Sequence, residues 1–301
     1  MPDRWPVVAA ACFAPVSKAL MSDLTPPEKR FRLFSLRYWS GNVGFAVGPL
    51  VGGFLGLSGS PLPFVMTGVA YLLFTCVVYR LAAGIDEPTG AEAEPLERLT
   101  LPWAWKTVRG DRVLLLFILG GVLTMTVHGQ MSVTLSQYVK ANFHDGIKLF
   151  AVLMSVNSLA VILLQYPLSK WAEGRSYLLS ICWGSVLFAA GEMGFALSQS
   201  AAWLIVSMVV FTLGEILVVP AEYIMLDEIA PEGMRGTYYG AQTFAELGNF
   251  LGPWLGGLIL AAYGGSAMFL AMGAVALAAI LFYWQGQQMY LRRQQRKPAA
   301  V

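Results

Sequence analysis

The chain has 301 residues, of which 56% are apolar and only 13% charged, with a formal net charge of +2 and a mean hydropathy of +0.60. Soluble domains run nearer about 45–50% apolar and about 25% charged, so this composition excludes a disordered chain and argues against a water-soluble globule. Twenty basic against eighteen acidic residues leave no basic field for nucleic acid, and three isolated cysteines (Cys12, Cys76, Cys182) give neither a disulfide framework nor metal-ligand spacing.

A helix that crosses about 30 Å of hydrocarbon needs roughly 20 mostly apolar residues. Runs of that kind lie, in chain order, at 5–22, 33–56, 62–83, 113–136, 148–169, 177–198, 201–226, 237–262 and 266–286. The first is the weakest, because Lys18 and two prolines interrupt it. The runs are continuous rather than alternating, which excludes a β-barrel. The expected fold is therefore an all-α, polytopic membrane protein with about nine transmembrane helices.

The connecting segments divide by charge. Taken alternately, one set holds fifteen Lys and Arg, including Lys29, Arg30, Arg32, Arg109, Arg112, Arg175, Arg235 and the tail Arg292–Lys297, and the other holds three, Arg4, Lys140 and Lys148. This asymmetry predicts a multi-pass protein of the plasma membrane with a cytoplasmic C-terminus. The stretch 84–111, with its GIDEPTGAEAEPLERL segment, reads as a cytoplasmic linker between a bundle at 1–83 and a second at 112–301.

Two segments repeat at a fixed offset of 204 residues. SDLTPPEKRFRLFSLRYWSGNVGFAVGPLVGG ends at Gly53, and LDEIAPEGMRGTYYGAQTFAELGNFLGPWLGG ends at Gly257. Asp23, Pro27, Glu28, Gly44, Gly48, Pro49, Gly52 and Gly53 recur as Asp227, Pro231, Glu232, Gly248, Gly252, Pro253, Gly256 and Gly257. Duplicated helical halves of this sort point to a transporter. Shifted back by the same offset, the second half's first span falls roughly 90 residues before Met1, so the first half holds three spans where the second holds six.

On these residues the chain resembles the major facilitator superfamily, most closely its drug:proton antiporter branch. GNVGFAVGPLVGG (Gly41–Gly53) matches that branch's fifth-helix motif, and GNFLGPWLGG (Gly248–Gly257) echoes it in the eleventh. The resemblance implies a twelve-helix fold from which the first three helices are missing, with this chain supplying family helices four to twelve. It also implies secondary active, proton-coupled efflux of a small amphipathic compound by alternating access. The alternative is a non-transporting remnant or interaction protein that needs the missing helices from another polypeptide. Apart from that polypeptide, the partners implied are the substrate, protons and the bilayer.

Glycines four apart line one helix face and let backbones approach closely, and Pro49 and Pro253 bend the helix beside that face. The seam is either a hinge or seal for a rocking bundle, or packing alone. Ionisable groups at membrane depth are costly and are functional candidates. Glu215 and Glu222, seven apart on family helix ten, share a face, and a carboxyl there can load and release a proton. Glu246 follows Gln242 and precedes Asn249 on one stripe of helix eleven. His128 and Gln130 on helix seven and Asn157 on helix eight complete the candidate cavity, with Glu192 a weaker candidate on helix nine. Each also has a plainer reading as an interhelical hydrogen bond. Lys18 is expected to snorkel or to pair with a carboxylate. Asp23 and Asp227, with Arg30 and Arg235 nearby, are expected to form ion pairs that gate or brace the cytoplasmic end. No Walker A, GxSxG or HExxH sequence occurs, so neither ATP drive, an enzyme, a metal site nor a cofactor is expected.

Overall fold

A computed structural model describes residues 5–56, 62–82, 106, 108–231 and 233–295. Among these the chain is helical and has no strand. The helices are α1 (Trp5–Asp23), α2 (Arg30–Gly56), α3 (Leu62–Ala82), α4 (Arg112–Asn142), α5 (Gly146–Ala172), α6 (Tyr177–Ala196), α7 (Ala201–Ile229), α8 (Arg235–Gln242) and α9 (Leu247–Gln295). The expected spans 5–22, 33–56 and 62–83 coincide with α1, α2 and α3. The linker expected at 84–111 falls outside the described residues except at 106 and 108–111.

Local chemistry sets the helix ends. Asp111 caps α4, its Oδ1 accepting from the amides of Val113 (2.9 Å) and Leu114 (3.3 Å), and Ser200 caps α7 through the Trp203 amide (3.3 Å). α9 is two helical arms, 247–263 and 265–295, that meet at a kink at Gly264, where a φ of 82° suits glycine. Five helical segments among the described residues are long and apolar enough to cross a bilayer, the last being 235–295 with its turn at Gly264. Residues 65–80 of α3 are exposed throughout and largely apolar, including Val65, Leu72, Phe74 and Val77. Such a face suits lipid rather than water.

One difference from the sequence reading matters for the site. The eleventh family helix is not a single α-helix: a 3-10 turn at Thr243–Glu246 separates α8 from α9. Each 3-10 residue advances about 120° instead of about 100°, so four of them rotate the start of α9 by roughly a quarter-turn relative to α8. The stripe of Gln242, Glu246 and Asn249 is thereby broken.

Close helix pairs rest on small residues. α4 lies along the first arm of α9, and a Cβ built on Gly248 or Gly252 would strike the α4 backbone at Val122, Thr126 and Gln130. α6 meets α7 where a Cβ on Gly214 would come within 2.6 Å of the Gly184 carbonyl, and one on Gly191 within 2.7 Å of Phe211. Without water to drive them together, membrane helices gain from such contact area. α2 packs against α5 and α7, with Trp39 Nε1 donating to the Ile162 carbonyl (2.9 Å) and Phe34 stacked on Tyr223 at 5.3 Å. α1 packs against α8.

Candidate functional site

Four helices converge on one carboxylate. Glu215, midway along α7, has a side chain only 4% exposed. Its Oε1 accepts the Tyr38 hydroxyl from α2 and lies 3.0 Å from His128 Nε2 on α4. Its Oε2 accepts from Asn157 Nδ2 on α5 at 2.7 Å. The same Asn157 nitrogen lies 2.9 Å from Thr212 Oγ1, one turn back on α7. Burying an ionised carboxylate this deeply is costly unless hydrogen bonds offset the lost water, and here both oxygens are engaged. His128, at 32% side-chain exposure, and Glu215 both border a cavity of about 620 Å³. Arg37, Asn42, Phe45, Met131, Met154, Asn249 and Pro253 line the rest of it.

A second cluster closes one end of the bundle. Asp227, at the end of α7, accepts from Arg30 Nη1 and from the Ser22 hydroxyl, and Tyr239 OH is 3.4 Å away. Arg235 Nε lies 3.0 Å from Asp227 Oδ1, and its Nη1 donates to Asp23. Arg30 Nε in turn caps the carbonyls of Ser22 (3.2 Å) and Thr25 (3.1 Å). All four residues expected at this end are thus in one network, and the two aspartates of the repeat each pair with an arginine of the other copy.

The family model of the Major Facilitator Superfamily matches residues 7–246. The chain belongs to the major facilitator superfamily. It is 30% identical over 276 residues to the uncharacterised MFS-type transporter YqjV of Bacillus subtilis, covering 90% of this chain and 67% of that protein. It is 24% identical over 311 residues to a Na(+), Li(+), K(+)/H(+) antiporter of Planococcus maritimus (92% and 71%), and 25% identical over 283 residues to the quinolone resistance protein NorA of Staphylococcus aureus (91% and 69%). The proton:xylose symporter XylE shares the fold, with a TM-score of 0.64 at 16% identity over 90% of this chain and 67% of that one. The chain is therefore an integral membrane protein of a transporter family, not an enzyme, and it spans about two thirds of the length of these relatives.

Within this superfamily chain, the expected cavity residues separate. Glu215, His128 and Asn157 stand together at the cavity. Gln130 does not join them: it is fully buried, and its Nε2 donates to Glu192 Oε1 at 2.6 Å. Residues two apart on a helix point to nearly opposite sides, so His128 and Gln130 never shared a stripe. Glu192 is itself fully buried, with Oε2 lacking any hydrogen-bond partner. Glu222 also lies apart. Its Oε1 accepts the Tyr283 hydroxyl, and it borders a separate pocket of about 20 Å³ with Gly121 and Gln242. Seven residues carry Glu222 about 10 Å along α7, where the second arm of α9 lays Tyr283 over it. Glu246 is exposed on the 3-10 turn, accepts from Asn249 Nδ2 at 2.5 Å, and faces a different opening with Pro15 and Phe250.

The glycine motif divides in the same way. Gly248 and Gly252 pack on α4, a Cβ built on Gly256 would lie 3.2 Å from Thr134, Pro253 borders the cavity, and a Cβ on Gly257 would meet nothing described within 4 Å. Gly44 meets nothing within 4 Å among the described residues. Gly48, Pro49, Gly52 and Gly53 are helical, but their surroundings lie outside the described residues. Among the described residues Lys18 forms no ion pair with a carboxylate; its Nζ sits 4.4 Å over the Tyr223 ring.

Several cavity residues are not among the sequence candidates, and Arg37 and Tyr38 are the two that matter most for the site. The signal for Arg37 was available, since it lies inside the run 33–56 and is charged, but it follows Arg30 and Arg32 closely and merges with the basic flank. Nothing in the sequence marks Tyr38, one of twelve tyrosines.

Proposed function

We propose that the chain forms part of a secondary active transporter that exchanges protons for a small amphipathic compound, efflux-type, by alternating access. One observation carries this reading: Glu215 and His128, on different helices, form a proton-accepting pair at the wall of a cavity large enough for a small molecule. A proton arriving on Glu215 cancels the charge that holds His128, Tyr38 and Asn157, and so loosens the join between α2 and the α4–α5–α7 cluster. The names of two relatives, a cation/proton antiporter and a quinolone resistance protein, are in keeping with exchange of this kind. The bodies that would rock are the bundles at 1–83 and 112–301, and the Asp227–Arg30 and Asp23–Arg235 pairs would hold the basic end shut. By its charge asymmetry that end is cytoplasmic, with the C-terminus inside and the plasma membrane as the site of action.

Proteoliposomes with an imposed pH gradient test the coupling. Uptake of a fluorescent amphipathic compound should collapse on adding a protonophore and should fall by at least about tenfold in Glu215→Gln. Transport indifferent to the gradient sinks the proposal. A second reading has one observation in its favour: a Cβ built on the exposed Gly44 of α2 would meet no described atom within 4 Å, in keeping with helices from another polypeptide completing the transporter. Activity gained only on co-expression of such a partner would establish it.

A further inference from the structure

The cavity is basic where it is accessible. Of the charged residues that line it, His128 is 32% exposed at its side chain and Arg37 is partly exposed, whereas Glu215 is only 4% exposed, with both oxygens engaged by Tyr38, His128 and Asn157. Other carboxylates near this level are turned elsewhere. Glu222 lies beneath Tyr283, Glu246 faces a separate opening with Asn249 bonded to it, and Glu192 is sealed on the far side of α4.

Arg37 is the cavity's charged residue with no acid beside it among the described residues. It sits two turns inside α2, about 10 Å from the helix start. Among the described residues no carboxylate comes within 4.0 Å of it, and its recorded partner is Tyr223, which it meets through a side-chain hydrogen bond with the ring 5.8 Å from the guanidinium carbon. Lys18 approaches the same ring at 4.4 Å, again without an ion pair. A guanidinium at membrane depth is ordinarily paired with an acid. Arg37 is placed as such groups are when the anion arrives from outside, because its planar fork matches a carboxylate or sulfonate. Phe45, Met131 and Met154 supply an adaptable apolar wall, and Asn42 and Asn249 add neutral polar groups to the lining.

We propose that the cavity takes an amphipathic organic anion, an aryl carboxylate or sulfonate held by Arg37 with its apolar body against Phe45, Met131 and Met154. The assignment rests on the transporter reading above and gives it a substrate class. It also has an electrical consequence. A proton moving in while an anion moves out carries charge in the same sense twice, so an inside-negative potential assists both movements.

Binding to the purified chain in nanodiscs separates this inference from the coupling. The probes are naphthalene-1-sulfonate and the trimethyl-1-naphthylammonium cation, which share a ring and differ in charge. Naphthalene-1-sulfonate should bind at least about tenfold more tightly. That preference should vanish in Arg37→Gln and persist, weakened, in Arg37→Lys, with elution as a monodisperse species checking the fold of each. Preference for the ammonium compound, or a sulfonate preference unchanged in Arg37→Gln, overturns the assignment. Anion binding through Arg37 without any response of transport to a pH gradient would leave the substrate class standing and defeat the antiport reading. Gradient-driven uptake of the ammonium compound alone would do the reverse.

Discussion

The two copies of the repeated motif carry the same residues in opposite surroundings. In the second copy, Gly248 and Gly252 touch the backbone of α4, and Asp227 is sealed with a side chain only 1% exposed. In the first, Gly44 meets no described atom within 4 Å, and Asp23, the counterpart of Asp227, is 53% exposed. Both aspartates nonetheless pair with an arginine across the copies. A shared sequence therefore fixes the partner's chemistry but not the energy, because the worth of an ion pair or a glycine face depends on what excludes water and lipid from it.

The largest effect should come from Asp227→Ala. It strands Arg30, whose side chain is only 13% exposed, and deletes the acceptor for Ser22 and Tyr239. Removing one partner of a buried pair costs about 3–5 kcal/mol, so thermal unfolding of the purified chain, followed by tryptophan fluorescence, should shift well down. A loss under about 1 kcal/mol, the value typical of an exposed pair, would put Asp227 and Asp23 on the same footing and erase the contrast.

Gly252→Leu should rank next. Its first side-chain atom would land on the Thr126 carbonyl and 3.0 Å from the Gln130 amide nitrogen, both backbone, so no rotamer change relieves it. Overpacking costs about 1–3 kcal/mol when side chains can shift, and here α4 and α9 must part instead. The expected result is a lowered unfolding temperature together with loss of transport. Gly257→Leu, where the space is open, serves as the control on the same helix.

Much of the fold was readable because spans and repeats are local or periodic signals. The four charges at the basic end were readable too, since Asp and Arg recur at matching places. Glu215, His128 and Asn157 could each be picked out as polar groups in apolar runs, but not their meeting, which depends on how α4, α5 and α7 cross. The misplaced residues each failed for a physical reason. Gln130 was grouped with a residue two positions away, Glu246 was carried off its stripe by a 3-10 turn, and Glu222 was covered by a tyrosine some sixty positions further along the chain. Arg37 reads in the sequence as one more basic residue near a helix start, although it stands two turns into an apolar helix.

The smallest predicted effect is the one that presses hardest on the comparison. Gly44→Leu introduces a bulky side chain where nothing described would touch it, and it replaces a poor helix former with a good one, a change worth up to about 1 kcal/mol in favour of the helix. The purified chain should then unfold at the same temperature or slightly higher, in contrast to Gly252→Leu. If Gly44→Leu proves as damaging as Gly252→Leu, the face of α2 is covered in the working protein as that of α9 is. The two copies would then be alike, and the contrast between them would belong to this chain in isolation. Transport measured beside stability decides which: a stable Gly44→Leu chain that no longer transports shows that the face is needed only when the bundle moves.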